Sequence, residues 1–191
     1  MILIKMYVTM FPVILAGILN MLFVKTSLYQ RLKCPMDGGL RLKDGRRLFG
    51  DNKTWAGFMG MILAGALSQL LWGLVCRAMP DMCYIYHTYE NTPLFNMLAG
   101  GAMGLTYMLF ELPNSFVKRR LDIPCGKTVG GLKGGFFFVA DQVDSLFGVG
   151  IVFALLYPMP LWQYFLYILL GAVTHIAVNG LLYKAKIRRN L

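Results

Sequence analysis

Glu111, Asp141 and Asp144 stand at the edges of long apolar runs, where charge is costly. An acid in or against a membrane segment is normally kept for a partner or a function. Asp141 and Asp144 are three residues apart, so on a helix they share one face. Paired carboxylates on one face offer hard oxygen ligands to a divalent cation, and Mg²⁺ is the one that accompanies phosphates. The same spacing also suits plain neutralisation of nearby bases, and it leaves both readings open.

Two basic groups flank these acids. Ser115, Lys118, Arg119 and Arg120 follow Glu111 along the chain. A hydroxyl beside ammonium and guanidinium groups can orient phosphate oxygens. Binding of anionic lipid by a juxtamembrane cluster is the competing reading. The second group is "GDNKTWAG" at 50–57, containing Asp51, Asn52, Lys53 and Thr54. A helix starting near Lys53 would place Lys53 and Thr54 in its first turn, where free N–H groups and the helix dipole attract an anion. Asp51 or Asn52 is expected to cap that helix. "CGKTVGGLKGG" at 125–135 is not a P-loop, because the required earlier glycine is Leu121 and no strand precedes it. Its glycines suggest a loop able to close over a substrate and reopen.

These groups need a membrane scaffold. Of the 191 residues 57% are hydrophobic and only 15% charged, which excludes an ordinary soluble domain. Four apolar runs, at 6–24, 55–76, 94–112 and 162–183, are long enough to span a bilayer, which takes about 20 residues. A fifth, 136–157, holds Asp141 and Asp144 near its start and is apolar from Leu146 onward. The expectation is an all-α integral membrane protein, one unit over 1–191, with two structured cytoplasmic loops. The first run reads as a span rather than a cleavable leader. All of the 19 Lys and Arg residues except Lys5 and Arg77 fall in the 25–53 loop, the 118–133 loop or the tail. The positive-inside rule then puts the N-terminus outside and the C-terminus in the cytoplasm. The net charge of +10 is a membrane-flanking charge and argues for no nucleic-acid partner.

Other polar residues carry less. Cys34, Cys76, Cys83 and Cys125 form no C-x-x-C pair, and no zinc site is expected. Cys76 and Cys83 are near one another on the outer side and read as incidental thiols. Within the spans, Asn20, Gln69, His175 and Asn179 are expected to hydrogen-bond neighbouring helices.

Together the motifs resemble a family. "SFVKRR" at 115–120 followed by "DQVD" at 141–144 is similar to the signature of CTP-dependent phosphatidate cytidylyltransferases. With "GDNKTWAG" in the first cytoplasmic loop, the pattern is closer to their smaller relatives, the CDP-archaeol synthases, over nearly the whole chain. "KGGFFFVADQVD" lacks the His-Gly-Gly of the phosphatidate enzymes, which also favours the archaeol branch. The resemblance implies transfer of CMP from CTP to a lipid phosphate, archaetidic-acid-like or phosphatidate-like, with release of pyrophosphate, for phospholipid biosynthesis. It implies Mg²⁺ on Asp141 and Asp144, with Glu111 replacing the aspartate of the family's Gly-Asp. Ser115, Lys118, Arg119 and Lys53 would act on the phosphates, and Asp51, Asn52, Thr54 and Arg120 would complete the substrate site. CTP would arrive from the cytoplasm and the lipid from the bilayer of the cell membrane, and a homodimer is compatible. A CDP-alcohol phosphotransferase is disfavoured, since its Asp-Gly-x-x-Ala-Arg motif is absent. A non-enzymatic lipid-binding or lipid-transport protein is the alternative, and it would leave the acids dispensable.

Overall fold

The computed structural model describes residues 1–127 and 129–184. Thr128 of the glycine-rich stretch, and Lys186, Arg188 and Arg189 of the basic tail, lie outside the described residues. The helices are α1 (Ile2–Phe23), α2 (Ser27–Leu32), α3 (Trp55–Cys76), α4 (Pro93–Arg120), α5 (Gly131–Leu156) and α6 (Leu161–Lys184). All but α2 are long and apolar enough to cross a membrane. In lipid a helix satisfies its own backbone donors and acceptors, so each apolar run resolves into one. The protein is an all-α integral membrane protein with five spans.

The α3–α4 interface is the largest, followed by α4 with α5, α1 with α3 and α5 with α6. Small residues make it so. A Cβ on Gly104 would lie 2.5 Å from the Met61 carbonyl oxygen, and Gly65 and Gly100 press backbone against backbone in the same seam. Gly148 does the same for α5, where a Cβ would lie 2.6 Å from the Thr106 oxygen. Such close approach gains dispersion energy that lipid cannot replace. Around it Met6, Met10, Met103, Val149 and Phe153 form the buried core.

One end of the bundle is closed by the α3–α4 connection. The Tyr86 hydroxyl accepts from Gln69 at 2.9 Å and donates to Asn96 at 2.8 Å. Asn91 donates to the Gly73 carbonyl at 2.7 Å, and Tyr84 N–H to Thr9 Oγ1 at 3.0 Å. Asn179 donates to Gln142 Oε1 at 3.2 Å, the interhelical bond expected of it. Gln69, by contrast, bonds the connection rather than another span.

At the other end the helices run on past the apolar segments. Helix α4 has 28 residues, about 42 Å, against a hydrocarbon core of about 30 Å. Ser115 to Arg120 are therefore helical, not part of a loop. Gly131, Gly134 and Gly135 likewise belong to α5 rather than to a loop. Counting apolar residues marks where a helix leaves the hydrocarbon, not where its hydrogen bonds stop. The helix-cap expectation is also corrected. Thr54 is the N-cap of α3, its Oγ1 accepting from Gly57 N–H at 3.1 Å, and Lys53 precedes the helix.

Candidate active site

Helical periodicity places Glu111, Asn114, Ser115 and Lys118 along one side of α4, at steps of three and four. Asp141 and Asp144 sit the same way on α5. The two stripes meet. Lys118 Nζ is ion-paired with Asp141 and bonds both its oxygens, Oδ2 at 2.5 Å. The Phe137 ring lies beneath that ammonium, 5.5 Å from its centroid. A single nitrogen, Asn114 Nδ2, donates to Asp141 Oδ1 at 2.6 Å and to Asp144 Oδ2 at 2.7 Å. One turn back, Glu111 is ion-paired with Lys53, both side chains only 16–21% exposed. Shielded from water, this pair is screened far less than a surface one. Residues from three separated stretches thus converge at one end of the bundle.

A folded hairpin holds Lys53 in place. Leu42 N–H bonds the Arg46 carbonyl at 2.9 Å and Leu48 N–H that of Leu40 at 3.1 Å. Behind it Asp37 is buried and accepts from Phe49 N–H and Gly50 N–H, each at 3.0 Å, and from Arg47 at 2.6 Å. Burial opposes the Asp37 charge. The Arg47 guanidinium and the N–H groups of Gly50, Phe49 and Gly39 outweigh it and hold the carboxyl well below the usual carboxylate range. Gly50 itself has φ +97°, and a Cβ there would strike Cys125 Sγ. Only glycine fits this turn.

The remaining expected site residues divide. Arg119 NH1 donates to Cys125 Sγ at 2.8 Å, while its Nε is buried with no hydrogen-bond partner among the described residues. Arg120 is committed elsewhere. Its NH1 binds Asp44 at 2.7 Å, its NH2 the Arg47 carbonyl, and it lies over Phe116. Arg46 grips Asp122 at 2.8 and 2.5 Å and so reinforces the same junction. Asp51 pairs with Arg47 at 2.9 Å and points mostly to solvent. Asn52 lies by Gly126, and the Thr54 hydroxyl meets Tyr29 OH at 3.0 Å as well as capping α3. Ser115 is half-buried on the α4 stripe. Asn114, Asp37 and Arg47 were not singled out from the sequence. Extending the α4 stripe through 114 would have found Asn114; Asp37–Gly38–Gly39 reads in the sequence as a turn, which says nothing of the Arg47 partner.

The residues present fit a divalent cation. Asp141 and Asp144 point oxygens at one spot, now held by the Asn114 amide, and hard anionic oxygens suit Mg²⁺. Glu111 is drawn toward Lys53. Among the described residues no three His, Cys, Asp or Glu side chains group closely enough to hold an ion together.

Comparison with known proteins agrees with this architecture. A family model described as CarS-like, CDP-archaeol synthase, matches residues 1–190. A CDP-archaeol synthase from Pyrococcus furiosus is 30% identical, with 80% of each chain covered. Another from Archaeoglobus fulgidus is 30% identical over 81% of this chain and 82% of its own. A third, from Methanosphaerula palustris, is 37% identical, over a match spanning 60% of this chain and 59% of that protein. A solved structure of an intramembrane enzyme for archaeal membrane lipids biosynthesis superposes with a TM-score of 0.62, at 26% identity, covering 91% of both chains. On its sequence, its five-helix membrane fold and its relatives, the chain belongs to the CDP-archaeol synthase family, and with it to the membrane-embedded cytidylyltransferases.

Proposed function

We propose that this protein transfers CMP from CTP to a lipid phosphate on the cytoplasmic face of the cell membrane, releasing pyrophosphate and a CDP-activated lipid. The observation that carries this reading is the convergence of Lys53, Glu111, Asn114, Lys118, Asp141 and Asp144 at one end of the bundle. Asp141 and Asp144 would hold Mg²⁺, which would offset charge on the nucleotide phosphates and the leaving pyrophosphate. Lys53 and Lys118 now neutralise carboxylates, and they exchange these for phosphate oxygens when the nucleotide arrives. Arg119, with an unpartnered Nε, supplies a further donor, and the Ser115 hydroxyl lies on the same stripe.

The lipid phosphate is already an anion, so it attacks the α-phosphorus without a strong general base. One P–O bond forms as the bond to the β-phosphate breaks, and the electron pair leaves with pyrophosphate. Positioning and electrostatics do most of the work, as in other phosphoryl transfers. Lipid access has a place too. An apolar cleft lined by Met10, Val13, Gly17, Leu146, Gly171 and Val178 adjoins the part of α5 that carries the acids. Isoprenoid and acyl tails present the same apolar surface to such a cleft. The archaeal relatives favour an ether-linked acceptor.

Purified protein in detergent, given Mg²⁺, CTP labelled at the α-phosphate and a panel of lipid phosphates, tests the proposal. Label should pass into an organic-extractable CDP-lipid. No such product with any acceptor, ether or ester, sinks it.

A further inference from the structure

We propose that Asn114 is a ligand of the catalytic cation, switching between hydrogen-bond donor and metal-binding oxygen as the site fills. This rests on the metal reading of Asp141 and Asp144. The Asn114 amide nitrogen lies 2.6 Å from Asp141 Oδ1 and 2.7 Å from Asp144 Oδ2, so it occupies the spot on which both carboxylates converge. A cation bound to both oxygens has to take that spot. An NH₂ group carries positive partial charge and is repelled by the incoming ion.

The side chain has an easy response. The terminal torsion of Asn is broad and roughly two-fold, and a half-turn replaces the NH₂ with the carbonyl oxygen. That oxygen is a hard, neutral ligand of the kind Mg²⁺ accepts. Other candidates for the position are committed. Lys118 is a cation, and Glu111 is ion-paired with Lys53. Asn114 lies between those two on the α4 stripe, three residues after Glu111 and four before Lys118. With its NH₂ turned inward, Asn114 keeps two close carboxylates from repelling one another. In the loaded protein the oxygen completes the protein's share of the coordination.

Mn²⁺, which uses the same oxygen ligands and is paramagnetic, provides a readout independent of turnover. Free Mn²⁺ is followed by electron paramagnetic resonance as purified protein is titrated without nucleotide or lipid. Asn114→Ala should bind Mn²⁺ about 10-fold or more weaker than wild type. Asn114→Asp keeps the oxygen and adds charge, so it should bind at least as tightly as wild type. Unfolding in chelator should separate the two states. Asn114→Asp loses the donor between the acids and should melt below wild type, then gain more from added Mn²⁺ than wild type does.

Wild-type affinity in Asn114→Ala overturns the assignment. So does Asn114→Asp binding as weakly as Asn114→Ala, or a wild-type protein that takes up no Mn²⁺. None of these outcomes depends on CDP-lipid being made. They are therefore distinct from a failure of the proposed reaction, which is read from product alone.

Discussion

Each lysine assigned to phosphate is paired with an acid: Lys53 with Glu111 and Lys118 with Asp141. The charges would otherwise be stranded in a shielded place, and pairing them offsets that cost. Asp144 differs, because its partners are neutral: the Asn114 amide and the Ser145 N–H. That makes its carboxylate the least encumbered of the acids and the most direct to test. Asp144→Asn is isosteric and should express and fold normally while kcat falls by at least about 100-fold, the scale of a lost electrostatic partner of the transition state. Retained turnover in a steady-state assay would contradict the metal assignment.

The elements most important for the site are not all spans. The hairpin around Asp44–Gly45 is tied to the end of α4 by Arg120 on Asp44 and Arg46 on Asp122. Asp37 then fixes the Phe49–Gly50 backbone that leads to Lys53. Because the folded pKa of Asp37 lies below its ordinary 3.8, its stabilisation is present above about pH 4 and fades as pH falls through the lowered value. Asp37→Asn should cost about 3 kcal/mol at neutral pH. The gap in melting temperature between variant and wild type should stay constant from about pH 8 to 5 and narrow below about 4. A gap unchanged in acid would mean that the Asp37 charge is not the source. Here the limits of the sequence are physical. The spans and the i, i+3 relation of Asp141 to Asp144 follow from local periodicity, so they were legible. The Asp37–Arg47 knot and the Arg120–Asp44 clamp join positions by tertiary folding, which periodicity does not encode. Helix α2 was missed because six residues are too few to show an apolar period. Asn114 was passed over because α4 was ended too soon, at the last apolar residue.

At the scale of the molecule, the alternating helices bring the acids and bases of the site to one end, and the positive-inside rule predicts that this end faces the cytoplasm. The native thiols can check this orientation. Cys76 and Cys83 are buried, whereas Cys34 is exposed on the same side as the hairpin. In sealed right-side-out vesicles a membrane-impermeant maleimide should leave Cys34 unlabelled until the bilayer is permeabilised. Labelling of intact vesicles would invert the topology.

The seal formed by Gln69, Tyr86, Asn96, Asn91 and Thr9 has a kinetic consequence. With that end of the bundle tied together, the phosphate-binding lysines lie at the opposite end. In the proposed reaction pyrophosphate would leave from the phosphate site that CTP enters, and the two would compete for Lys53 and Lys118. Added pyrophosphate should therefore inhibit competitively against CTP, raising its apparent KM at constant maximal rate. A purely noncompetitive pattern would mean that pyrophosphate and CTP bind different forms of the protein, against a shared phosphate site.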